Sequence, residues 1–160
     1  MNMAVTRRCL SHQATVISKC KDDPMPISDH EEADTRMCLH VLHALSKGAQ
    51  NMLVSTVDTD VIVILVGIFH KLREAYPNTQ LWVAFGKGRH FRHYHINSIC
   101  DNLSRSKSEA LPFLHAFAVS DTTSQFGGKG TKSVWKAWKA YPAATDAFCS
   151  SKNEPFVPME

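Results

Sequence analysis

The fold of this chain is indicated best by "NMLVSTVDTDVIVILVGIFHKLREAY", residues 51–76. Its start, 51–57, is apolar and β-branched and is bounded by turn residues, which predicts a short buried strand. The next apolar run passes into a helix that should end before Pro77. "QLWVAFG" at 80–86 predicts another buried strand. Strand, helix and strand in this order indicate an α/β fold with a mostly parallel sheet flanked by helices.

A further helix is predicted upstream, from "SDHEEADTR" at 28–36 to about Ser46. Ser28 or Asp29 can cap its start, because short polar side chains accept hydrogen bonds from the first free backbone amides. Gly48 follows in the usual place for a left-handed C-terminal cap.

The remaining sequence supplies shorter elements around this unit. We expect an edge strand at 13–19, an exposed basic strand in "GRHFRHYHI" at 88–96, helices near 95–104 and 106–118, and a helix in 133–141 broken at Pro142. A chain of 160 residues fits one domain, so we assign a single domain to 1–149 and a loose tail to 150–160.

Composition excludes several classes of protein. The net charge of +3 is mild, so a nucleic-acid role must come from a local patch. The longest apolar run, 61–69, is too short to cross a bilayer, and no secretory leader is visible, so no membrane partner is expected. The 5 cysteines are odd in number and never form CxxC, which favours reduced thiols in an intracellular protein of the nucleus or cytoplasm. Composition does not indicate an oligomeric state.

Asp58 and Asp60 form the first candidate site, at the predicted carboxyl end of the strand at 51–57. If the chain is still extended there, both carboxylates point the same way, and a divalent cation such as Mg²⁺ would relieve their repulsion. The alternative is that Asp58 caps the following helix and Asp60 faces solvent.

Glu32 and Asp34 are a second acidic pair, at the predicted helix start. In a regular helix they would be turned about 200° apart, so they converge only in an irregular first turn. The alternative is that they stabilise the positive end of the helix dipole.

The third candidate is "SDTTSQFGGKGTKSVWKAW" at 120–138. Asp121 follows an apolar helical stretch, and a glycine-rich turn then leads into a helix, an arrangement that can bind phosphate. The alternative is a flexible loop between two helices. The residues that would contact a nucleic-acid backbone are Gly128, Lys129, Gly130, Lys132 and Lys136.

Taken in order, these three elements resemble the PIN-like nucleases of the flap endonuclease (5′-nuclease) type. "EADT" at 32–35 is similar to an "EAEA" helix start, and "TVDTD" at 56–60 to a "T-x-D-x-D" strand end. "VSDTTSQFGGKGTKSVW" at 119–135 looks like a "G-x-D-Y" loop with a "G-I-G-x-K-x-A" hairpin. The resemblance covers about 28–141 and extends to a group of animal proteins of mobile-element type.

The resemblance implies a PIN-like sheet followed by a helix–two-turn–helix segment over 112–141, and two Mg²⁺ (or Mn²⁺) ions that polarise a DNA or RNA phosphodiester. The implied catalytic residues are Asp58, Asp60 and Glu32, and the implied metal ligands are Glu32, Asp34, Asp58, Asp60 and Asp121. The chain departs from that family in having no early acid in a first strand and no helical arch. We therefore expect the carboxyl-terminal part of such a domain, with weakened metal binding and cleavage.

Three functions remain open from the sequence. The first is a metal-dependent nuclease-like domain. The second is a catalytically inactive nucleic-acid-binding or scaffold module. The third is a phosphatase that uses the DxD pair, with Asp58 as nucleophile. The histidines of 88–96 add a choice between a basic strand that contacts phosphate, a solvated strand and a zinc site.

Overall fold

A computed structural model describes the backbone of residues 3–4, 6–8, 15–17, 33–119 and 131–150, and the side chains of 36–118 and 132–150. In chain order the elements are β1 (Met3–Ala4), β2 (Thr6–Arg8), β3 (Thr15–Ile17), α1 (Ala33–Ser46), β4 (Asn51–Thr56), α2 (Thr59–Ala75), β5 (Gln80–Phe85), β6 (Arg92–His95), α3 (Ile96–Leu103), α4 (Arg105–Val119), α5 (Thr131–Ala140) and α6 (Ala143–Ser150). A single 3-10 turn, Gly88–His90, lies between β5 and β6.

The centre of the sheet is the parallel pair β4 and β5, in register from Asn51↔Gln80 to Thr56↔Phe85. Helix α2 connects them, so the predicted strand–helix–strand unit and the α/β class are confirmed. β6 runs antiparallel to β5, and β3 antiparallel to β4, while the short β1 pairs with β4 in parallel. The described sheet is therefore mixed rather than mostly parallel. The connection from β5 to β6 is too short for a crossover, so it can only reverse the chain.

One face of β4 and β5 carries the main core. Met52 and Val54 alternate with the exposed Leu53 and Ser55, so only every second residue of β4 is buried. The predicted buried strand is thus present in β4, but it is buried on one face only. Side chains of α1, α2 and α3 pack on the buried face together with Leu81 and Val83 of β5.

Helix α1 ends as predicted. Gly48 has φ +85, its N–H donates to Leu45 O at 2.9 Å, and the N–H of Ala49 donates to Ala44 O at 3.0 Å. These two bonds form a Schellman motif, which satisfies carbonyls that the helix end would otherwise leave free. The predicted start of this helix, including Ser28 and Asp29, lies outside the described residues.

Helices α2 and α4 pack closely against each other at Gly67. A Cβ atom there would lie only 2.4 Å from Cγ of Pro112. Pro112 stands inside α4, where it cannot donate the usual helical hydrogen bond. The absence of a side chain on Gly67 thus allows the two helices to pack closely. This packing places His115 of α4 beside Asp60 in the first turn of α2.

A second, smaller core joins α4 to α5 and α6 around Ala110, Leu114 and Trp138. Trp138 is buried, and its indole Nε1 donates to Thr145 Oγ1 at 3.0 Å. Helix α6 was not predicted, because "AATDAFCS" follows a proline and has a weak apolar pattern. The turns of the predicted helix–two-turn–helix segment and the tail beyond 150 lie outside the described residues.

Candidate functional site at the carboxyl end of β4

The site begins where the parallel strands β4 and β5 end together. The N–H of Gly86, just after β5, donates to Thr56 O at 3.0 Å, so the two strands stay paired up to the edge of the sheet. Gly86 has φ +89, and a Cβ atom at this position would lie 2.8 Å from His90 O. Only glycine fits this turn without strain. Carboxyl ends of parallel strands are the common location of functional groups in α/β proteins.

Asp58 is the N-cap of α2. Its backbone is extended (φ −97, ψ 128), and its Oδ1 accepts a hydrogen bond from the N–H of Asp60. That bond is 3.0 Å long, and the N–H of Asp58 donates to Thr56 Oγ1 at 3.0 Å. Thr56 is buried and Asp58 is exposed. The capping role considered for Asp58 is therefore present, and it holds the carboxylate at the sheet edge.

Asp60 lies in the first turn of α2 and contacts His115 of α4. Its Oδ1 is 2.8 Å from Nε2 of His115. The Asp60 side chain is 55% exposed and that of His115 only 19%. His115 was not singled out from the sequence, because 55 residues separate it from Asp60 and no spacing rule connects them. Only the packing of α4 on α2 in the folded structure places His115 beside Asp60.

The two carboxylates do not have the parallel orientation expected for an extended chain. Asp58 is extended but Asp60 is already helical, because the helix begins at Thr59. They are nevertheless linked through the Asp58 Oδ1 to Asp60 N bond. In the described hydrogen bonds both side chains use Oδ1, so each has an Oδ2 that can face a ligand.

These oxygens suit a hard divalent cation, which binds carboxylates and keeps several waters. Over 36–118 and 132–150 no group of three or more His, Cys, Asp or Glu side chains is arranged to hold a metal ion. Any further His, Cys, Asp or Glu ligand to such an ion would therefore come from beyond those ranges. The same observation covers the histidines of 88–96, for which zinc was considered.

The other predicted site residues are only partly described. Glu32, Asp121, Gly128, Lys129 and Gly130 lie outside the described residues. Asp34 falls in the first turn of α1, but its side chain is not among those described. Lys132 and Lys136 are both exposed on α5 and are one helical turn apart.

No protein-family model, curated protein or solved structure matches this chain. Every helix in the described part of the chain is too short or too polar to span a bilayer.

Proposed function

We propose that this chain is a divalent-metal-dependent nuclease-like domain of PIN-like type that acts on DNA or RNA phosphodiesters. The observation that carries the proposal is the position of Asp58 and Asp60. Both are exposed at the carboxyl end of β4, beside its parallel neighbour β5, and among the described residues each is held by a hydrogen bond through Oδ1.

In this proposal Asp58 and Asp60 hold Mg²⁺ or Mn²⁺, with Glu32, Asp34 and Asp121 as further ligands. A bound ion of this kind polarises a phosphodiester and supplies hydroxide near neutral pH. The chain's own contribution is orientation. The α2 cap holds Asp58, His115 holds Asp60, and Gly128, Lys129, Gly130, Lys132 and Lys136 bind the nucleic-acid backbone.

A second candidate is a nucleic-acid-binding or scaffold module without cleavage. It is favoured by the structural partners that both acids already have, namely the N–H of Asp60 and the imidazole of His115. A capped helix and an inter-helix contact explain these side chains even without a metal ion.

The experiment is cleavage of a labelled flap substrate with Mg²⁺ or Mn²⁺, compared with EDTA. Asp58→Asn is the informative variant, because asparagine keeps the capping oxygen and removes the charge that a metal needs. Asp60→Asn keeps an oxygen near His115 in the same way. Asp146→Asn is the matched control, since Asp146 is exposed in the first turn of α6.

Metal-dependent cleavage that is lost in Asp58→Asn and Asp60→Asn but kept in Asp146→Asn supports the nuclease proposal. Nucleic-acid binding without cleavage at any metal concentration, unchanged by these substitutions, supports the scaffold module. Cleavage that survives Asp58→Asn at the full rate contradicts the assigned site.

A further inference from the structure

The face of the sheet opposite the main core is open in the described part of the protein. Leu53 of β4 and Trp82 of β5 are cross-strand partners on this face, and each is 40% exposed. The described helices that pack on the sheet contribute to the core on the other face. Parallel strands are usually covered on both faces, so an exposed tryptophan on such a pair indicates an interaction surface.

Trp82 and His95 form a rigid aromatic pair on this face, which we call the Trp82–His95 platform. They are partners across β5 and β6, and their rings stack with centroids 4.1 Å apart and planes 17° apart. The imidazole is held at both nitrogens, by Ser98 Oγ at 2.8 Å and Gln80 Oε1 at 3.0 Å. A ring fixed in this way loses little conformational entropy when a ligand binds.

More aromatic surface continues along β6. His93 is the register partner of Ala84, and so it lies on the same face as the platform. The exposed Phe91 packs edge-on against His93, with ring centroids 4.8 Å apart. Aromatic and imidazole rings therefore lie along β6 on the open face.

The sequence around the open face carries charged side chains of positive sign only. Residues 75–100 contain no aspartate or glutamate, but they contain Lys87, Arg89 and Arg92. All three cations are exposed, and they lie in the connection between β5 and β6 or at the start of β6. An apolar protein partner needs no such cluster, whereas a polyanion with aromatic bases matches both the cations and the rings.

We propose that this open face binds a single-stranded segment of nucleic acid. An unpaired base packs on the Trp82–His95 platform, and Lys87 and Arg89, which lie beyond the end of β5, contact phosphates farther along the same strand of nucleic acid. A duplex keeps its bases stacked on one another, so the exposed indole selects an unpaired strand.

The platform and the candidate metal site share β5, because Trp82 lies on this strand and Asp58 and Asp60 follow its parallel neighbour β4. Trp82 is three residues before Phe85, the last residue of β5, which corresponds to about 10 Å along the strand. A single strand that crosses the open face can therefore continue to the edge where Asp58 and Asp60 lie. The inference shares with the proposed function the assumption that the ligand is nucleic acid, but it does not require cleavage.

The test measures binding of fluorescein-labelled oligothymidine or oligouridine of about twelve nucleotides by anisotropy, with the full chain in EDTA. Trp82→Ala should weaken binding by about fivefold or more, and Trp82→Phe should keep most of the affinity because the ring remains. Leu42→Ala is the matched control, since Leu42 is 39% exposed on α1.

Lys87→Gln and Arg89→Gln should each lower the slope of log Kd against log salt by about one. Circular dichroism melts show that each variant is folded.

Two results overturn the inference. One is equal affinity for a duplex of the same length together with no effect of Trp82→Ala. The other is no binding of oligonucleotide, with a self-association in sedimentation velocity that Trp82→Ala abolishes, which assigns the face to a second copy of the chain. The binding assay contains no metal and therefore does not depend on cleavage. If the chain binds oligonucleotide in this assay but cleaves no substrate with Mg²⁺ or Mn²⁺, the proposed nuclease is rejected and this inference stands.

Discussion

Nε2 of His115 lies 2.8 Å from Oδ1 of Asp60, and this contact joins the middle of α4 to the first turn of α2. It gives one of the two candidate metal ligands a fixed partner inside the protein. The Asp60 side chain is 55% exposed, so the contact forms at the surface, where water and salt screen it.

The Asp60–His115 contact should contribute little to global stability. In a double-mutant cycle of Asp60→Ala and His115→Ala, we expect a coupling free energy below about 1 kcal/mol, because a polar contact at the surface gains little over hydration of the two separate groups. Urea unfolding at low and high salt measures it. The pair of Arg73 and Asp101, in which the cation is more exposed than His115, serves as comparison. A coupling above about 3 kcal/mol would mean that the pair is shielded from water.

Gly67→Ala should destabilise the protein through a clash with Pro112. The added methyl group meets a rigid ring at 2.4 Å, and overpacking of this kind costs about 1–3 kcal/mol. Thermal or urea unfolding measures the loss.

Pro112→Ala supplies the control for this clash. Once the ring is removed, Gly67→Ala should be neutral or stabilising, because alanine is favoured over glycine inside a helix by about 1 kcal/mol. An equal cost in both backgrounds would show that the ring is not the cause.

Asp58→Ala and Asp58→Asn should differ in stability. Alanine removes the acceptor for the N–H of Asp60 and should cost about 1 kcal/mol, whereas asparagine caps nearly as well as aspartate. Chemical unfolding of both variants measures the difference. Equal losses would indicate that the carboxylate charge matters more than the cap.

Asn97→Ala should be strongly destabilising. This buried side chain accepts from the N–H of Leu81 at 3.0 Å and donates to Thr79 O at 2.8 Å. Each backbone group left unsatisfied costs roughly 1–3 kcal/mol. Asn97→Asp keeps the acceptor and loses the donor, but at neutral pH it also buries a negative charge beside Thr79 O, so its stability loss should exceed that of the donated bond alone. A change below about 0.5 kcal/mol for alanine would mean that water replaces the amide.

Stability should fall at alkaline pH through Cys100. The pKa of this thiol is raised from 9.0 to about 11, and burial is the largest cause of the shift. A hydrogen bond to Ser108 acts in the opposite direction and lowers the pKa. Below pH about 9 both states keep the proton, while between about 9 and about 11 only the unfolded state releases it. The free energy of unfolding therefore falls by up to about 1.4 kcal/mol per pH unit in this window.

Cys100→Ala isolates that contribution, because all other titrating groups remain. Unfolding curves at pH 8 and at higher pH should show a smaller decline in the variant than in the original chain. Parallel declines would assign the alkaline loss to other residues.

Much of the strand–helix–strand unit follows from the sequence itself. Periodicity predicted β4, α2 and β5, the position of Gly48 predicted the end of α1, and the DxD pair was correctly placed at the end of β4. These features depend on neighbours within a few residues, where backbone dihedrals and side-chain spacing are set locally.

Tertiary structure decided the relationships between distant residues. The contact of Asp60 with His115, the close approach of Gly67 to Pro112 and the stacking of Trp82 on His95 each depend on how separate elements pack. The direction of β6 and the open face of β4 depend likewise on strand pairing and on which face the helices cover. A local pattern states that a residue is apolar or charged, but its partner is selected only when the whole core is packed.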